Sequence, residues 1–116
     1  MNFEGTLDSL RGEELNAVCF VMDYVEFHFN GPILRALSDP KVKLSDASWR
    51  FPEAGSREAL CGLIGLTVEE VFVIAGREME LRFAADKSLF IPLQPKVGSP
   101  EAAHFVPNLS GPIQVW

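Results

Sequence analysis

Cysteine is scarce in this chain. Only Cys19 and Cys61 occur in 116 residues, each inside an apolar run and neither in a CxxC pair. That excludes a disulfide framework and any zinc motif written in local spacing. It predicts a reducing compartment and two thiols buried as small apolar groups. Long apolar stretches are also missing, so no helix can span a bilayer. The opening MNFEGTLDSL has neither a basic region nor an apolar core, and no leader is expected. Basic residues are outnumbered, ten Lys and Arg against sixteen Asp and Glu. Phosphate backbones demand a basic face, so nucleic acid is excluded as a partner. No hydroxyl sits in a nucleophile elbow and no glycine-rich loop awaits a phosphate; the GLIG at 62–65 reads as a helix end. The expectation is a cytoplasmic protein with no cofactor, no metal, no membrane segment and no catalytic residue that sequence can name.

What remains is an apolar, acidic chain of single-domain size. Apolar residues make up 47% of it, enough for one core, and the net charge of -6 divides evenly between residues 1–57 and 58–116.

The chain also repeats itself. Sliding it by 53 to 55 residues lays Gly12 on Gly65, Val18 on Val71, Glu26 on Glu80 and Phe29 on Phe83, and lays Pro40-Lys41-Val42 on Pro95-Lys96-Val97. The same comparison sets Trp49 against His104. Matched order of features, rather than identity, marks two similar units. Their expected bounds are about 5–55 and 56–111, followed by a C-terminal strand at 112–116.

Each unit opens with a short helical turn, capped by Thr6 in GTLDSL and by Ser56 in GSREAL, the second stopped early by Gly62 and Gly65. A first strand follows, LNAVCFVM or VEEVFVIA. Both are apolar on both parities, which predicts a strand covered on both faces. Turns at Met22-Asp23 and Ala75-Gly76 lead to a second strand that alternates. Val25, Phe27 and Phe29 point one way in YVEFHF, and Met79, Leu81 and Phe83 do so in EMELRF. Turns at Asn30-Gly31-Pro32 and Ala85-Asp86-Lys87 open a third strand, where Pro92 predicts a sheet edge or bulge. SWRF and AHFV read as short fourth strands ended by Pro52 and Pro107, and PIQVW as a returning strand.

Each unit is thus a three- or four-stranded antiparallel meander, too small to bury its apolar face alone. The expected fold is mainly β. Two pseudo-symmetric meanders pack as a sandwich or small barrel, with one or two short helices. Trp49 and Trp116 are expected to plug the core.

The glycine at a helix end, the V..V.F strand, the F.F..G hairpin, the repetition of the set and the C-terminal VW resemble small bacterial proteins built from two β-meander halves, families known as domains of unknown function. The resemblance implies this fold and, since some such members are suspected immunity proteins, an immunity-type role. It implies no catalytic residue.

Candidate chemistry centres on the polar sides of the two second strands. Should those strands meet near the pseudo-axis, Glu26, His28, Glu80 and Arg82, with Tyr24 beside them, form one ligand-binding cluster. Carboxylates beside a histidine suit acid–base work or a cation; as cross-strand pairs on a wet face they would do no more than add a few tenths of a kcal/mol each. Binding is favoured over catalysis. The first expectation is an immunity-type or accessory protein whose acidic side chains, Glu26, Glu69, Glu70 and Glu80 among them, steer a basic protein partner. The alternatives are a β-barrel with a small-ligand pocket, enzymatic or not, and a structural homodimer paired through open sheet edges.

Overall fold

A computed structural model describes residues 6–107 and 113–116. In it the strands form two five-stranded antiparallel sheets. The first sheet runs, in spatial order, β1 (Ala17–Val21), β2 (Tyr24–His28), β3 (Ile33–Ala36), β9 (Ala103–Val106) and β10 (Gln114–Val115). The second runs β6 (Val68–Ile74), β7 (Glu78–Phe83), β8 (Lys87–Pro92), β4 (Lys41–Leu44) and β5 (Ala47–Arg50). A 3-10 turn at Leu7–Leu10 and one helix, α1 (Ser56–Cys61), precede the two sets of strands. The architecture is a sandwich with two separate sheets.

The first three strands of each half form the expected meander, but the rest change places. β4 leaves its own half to pair with β8, and β9 leaves its half to pair with β3. The sheets correspond strand for strand, each completed by two strands from the opposite half. The register corrects the sequence comparison at this point. Leu34 and Leu89 hold the same place in their sheets, facing Phe105 and Val42 respectively. The counterpart of Val42 is therefore Phe105, and that of Lys41 is His104. Trp49, opposite Val42, answers to Gln114, opposite Phe105. The echo between Pro40-Lys41-Val42 and Pro95-Lys96-Val97 is not structural, for Val97 lies fully exposed in a loop.

Other local expectations need revision. Ser56 is the first residue of α1, not its cap; Gly55 takes the cap position at φ 84°. Thr6 does stand at the N-cap of the 3-10 turn, without a side-chain capping bond; Ser9 instead donates its hydroxyl to the Thr6 carbonyl. ASWR is a fifth strand, preceded by the separate strand KVKL. Pro92 ends a central strand, beyond the reach of β4, which pairs with residues 87–90. The first strands, β1 and β6, are sheet edges, and their mostly exposed or half-buried side chains show that they are not covered on both faces. Cys19, on β1, and Cys61, at the end of α1, are exposed, not buried. The ends of the two expected repeat units, at residues 5 and 108–112, lie outside the described residues.

Alternation on the second strands holds. Val25, Phe27, Phe29, Met79, Leu81 and Phe83 all point inward and are buried. They meet Leu34, Leu89, Ile91 and Phe105 between the sheets in one continuous core. Trp49 and Trp116 are partly buried against it. The sheets are tied at one corner, where residues 12–15 lie antiparallel to 65–68. Gly12 N donates to Val68 O and Gly65 N to Leu15 O, both at 2.8 Å, while Leu15 N donates to Leu66 O and Val68 N to Glu13 O. These four bonds form two reciprocal pairs, so the corner is self-complementary in the manner of a two-fold contact.

Candidate functional site

Inward-facing Val25 and Phe27 leave Tyr24, Glu26 and His28 on the outer face of the first sheet. The strand register then sets their neighbours. Cys19 of β1 lies opposite Glu26, Glu26 opposite Arg35 of β3, and Arg35 opposite His104 of β9. Directly opposed residues bring their Cβ atoms to roughly 5 Å, close enough for polar side chains to join.

They form a continuous relay. Glu26 accepts from Arg35 Nε at 2.8 Å through Oε2, and its Oε1 lies 3.1 Å from His28 Nε2. Arg35 reaches onward to His104 Nδ1 at 3.0 Å, and His104 Nε2 lies 3.1 Å from a Glu101 carboxylate oxygen. A guanidinium can only donate, so Nδ1 of His104 must be the bare nitrogen and Nε2 carries the proton toward Glu101. Burial of Glu26, whose side chain is 15% exposed, opposes ionisation. The hydrogen bonds and charges of Arg35 and His28 outweigh it and hold the carboxyl below its usual range. One ligand atom each from Cys19, Glu26 and His28 falls within a 4.8 Å cluster.

Glu80 and Arg82 stand elsewhere. They occupy the outer face of the second sheet, on the opposite side of the sandwich, so the five residues singled out by sequence do not form one cluster. The two faces are nonetheless equivalent in position. Where the first carries Cys19, Glu26, His28, Arg35 and His104, the second carries Phe72, Glu80, Arg82, Phe90 and Lys41. There Arg82 donates to Glu80 at 2.9 Å, which raises its pKa, and lies 4.6 Å from the centre of the Phe72 ring. Lys41 sits 4.9 Å over Phe90. Equivalent positions thus hold cation–π pairs on one face and a chain of titratable groups on the other.

Sequence reasoning missed Cys19 and Arg35 as neighbours of Glu26, and His104 as the next partner of Arg35. Counting back from the two-residue turn at Met22-Asp23 places Cys19 opposite Glu26 and could have found the first. His104 joins only because β9 crosses to the other sheet, which no local pattern announces. No protein family matches this chain, and no curated protein or solved structure does either.

The second sheet also presents the edge β6, whose first residue, Val68, is already paired through its backbone with Gly12 and Glu13. Phe72, Val73 and Ile74 are 37%, 46% and 50% exposed, and Glu69 and Glu70 beside them are exposed too. The matching edge β1 is better covered, because Phe20 stacks on Phe51 with centroids 5.9 Å apart and Arg57 lies over both rings.

Proposed function

We propose that this protein is a binding module that captures a basic protein segment as an added strand along β6. One observation carries the reading: β6 is a seven-residue edge strand with consecutive exposed apolar side chains and two exposed glutamates. An edge offers a row of backbone donors and acceptors, and proteins ordinarily blunt such edges with charge, bulges or cover. Here a register shift between Val68 and Glu70 and the two glutamates guard the first half of the strand. Arg82 lies over one face of Phe72, but Val73 and Ile74 lack such protection. An incoming strand would gain backbone pairing from the edge, apolar contact from Phe72 and Ile74, and steering from Glu69, Glu70 and the net charge of -6.

This is the physics of an immunity-type or accessory protein, which acts by covering a partner and needs no catalytic group. Free, exposed thiols suit a reducing, cytoplasmic setting. Among the described residues no helix is long and apolar enough to cross a membrane.

The test is amide chemical-shift mapping with an extended peptide of alternating lysine and valine, against a glutamate–valine twin. The basic peptide should shift the amides of Glu70–Ile74, and Glu69→Lys with Glu70→Lys should weaken binding roughly tenfold and flatten its salt dependence. Shifts confined to other strands, or binding indifferent to the double reversal, would refute the proposal. Sedimentation at rising concentration separates the competing occupant: a dimer abolished by Val73→Lys would assign the same edge to a second copy of this chain.

A further inference from the structure

We infer that the outer face of the first sheet binds a divalent cation of the zinc class through Cys19 Sγ, Glu26 Oε1 and His28 Nε2. One ligand atom from each of the three residues already lies within 4.8 Å of the others, and Glu26 Oε1 and His28 Nε2 are 3.1 Å apart. Zinc bonds of about 2.0–2.3 Å set ligand atoms about 3.5 Å apart in a tetrahedron, so the wider separations must close and the 3.1 Å Glu26–His28 pair must open slightly, adjustments within reach of side-chain rotation. The backbone fixes the ligands well. Glu26 and His28 are alternate residues of one strand, on one face, and Cys19 is the direct cross-strand neighbour of Glu26. A thiolate with an imidazole selects a borderline-soft metal over magnesium or calcium, which prefer oxygen.

The surroundings fit the role. Arg35 binds Oε2 of Glu26, the outer-sphere bond that orients a ligating carboxylate, while metal binding replaces the hydrogen bond between Oε1 and His28 Nε2 and releases the Nε2 and Cys19 thiol protons to solvent. Thiolate and carboxylate together cancel the dication. The Arg35 charge is then balanced through His104 by Glu101. Three protein ligands leave a fourth position for water or a group from outside, the form of an open rather than a structural site. The fold alone does not impose this set, since the equivalent positions of the other sheet carry Phe72, Glu80 and Arg82.

The test uses the full chain, kept reduced by a phosphine rather than a thiol, with Co2+ as spectroscopic probe and Zn2+ as competitor. One equivalent of Co2+ should produce a near-ultraviolet thiolate-to-cobalt band that Zn2+ abolishes. Cys19→Ser should remove the band, and because Cys19 is exposed this variant should fold. Cys61→Ser should keep the band. His28→Asn and Glu26→Gln, checked by circular dichroism for folding, should weaken Zn2+ binding about tenfold or more in competition with a chromophoric chelator. No band at equimolar Co2+, a band that survives Cys19→Ser, or one lost with Cys61 would overturn the inference.

Discussion

Gly12 and Gly65 hold equivalent places in the two halves, and each donates its amide across to the other half at 2.8 Å, to Val68 and Leu15 respectively. Both adopt left-handed backbone, at φ 85° and 88°. A Cβ at either would meet no atom within 4 Å beyond its chain neighbours. Their substitution therefore reports backbone strain alone.

Gly12→Ala and Gly65→Ala should each destabilise by about 1–2 kcal/mol, the left-handed penalty of a residue with Cβ. The two losses should be alike, as read from urea midpoints at unchanged slope. A loss at one glycine and none at the other would show that the corner is not reciprocal.

How far such features were legible depends on how local they are. Alternation in YVEFHF and EMELRF identifies Phe27 and Leu81 as inward, because one buried face dictates a period of two. The two glycines stand out as a matched pair for the same reason: each serves a turn requirement of its own backbone. Strand exchange is different. KVKL and AHFV choose their neighbours through contacts with β8 and β3 far away in sequence, and the Pro-Lys-Val echo points to the wrong pairing. Cys19 shows the other failing. A strand apolar on both parities suits a covered position, and nothing in its letters says that it lies at an edge. Of the candidate site, Glu26 and His28 were readable as neighbours; their joining to Arg35 and His104 required the exchanged strand.

Acid titration tests the relay. The Glu26 carboxyl is depressed below 4.5 in the folded chain, so its ionised form stabilises the fold above the unfolded value. That contribution fades as pH falls through the lower folded value. Glu26→Gln should thus lose stability relative to the parent at pH 7, by about 1 kcal/mol given a partly exposed pair. The difference should shrink below pH 4.5. Denaturant melts of both proteins, with chelator present, give the difference curve; a gap unchanged down to pH 2 would contradict the assigned partners.

The ring of His104 provides a second reading of the same chain of bonds. Its neutral form should carry the proton on Nε2, as Arg35 occupies Nδ1. Nitrogen-detected NMR at neutral to mildly alkaline pH distinguishes the tautomers. Arg35→Met should release the ring to a mixture of both, and a ring already mixed in the parent would mean that the Arg35 contact does not form in solution.

Two buried serines make opposite predictions from the same substitution. Ser38 is 3% exposed and donates its hydroxyl to the Pro92 carbonyl, joining the exit of β3 to the end of β8. Ser56 is fully buried at the start of α1, and its hydroxyl has no hydrogen-bond partner among the described residues. An unpartnered buried hydroxyl carries its desolvation penalty with no compensating bond, whereas losing a partner leaves an acceptor stranded. Ser38→Ala should therefore destabilise by about 1–3 kcal/mol. Ser56→Ala should be neutral or stabilise by up to about 1 kcal/mol, helped by the higher helix propensity of alanine. The comparison cancels the change in size, since both variants remove one oxygen from a buried site. If Ser56→Ala proved the costlier of the two, its hydroxyl must have a partner, and the packing of α1 against the sheets would need to be redrawn.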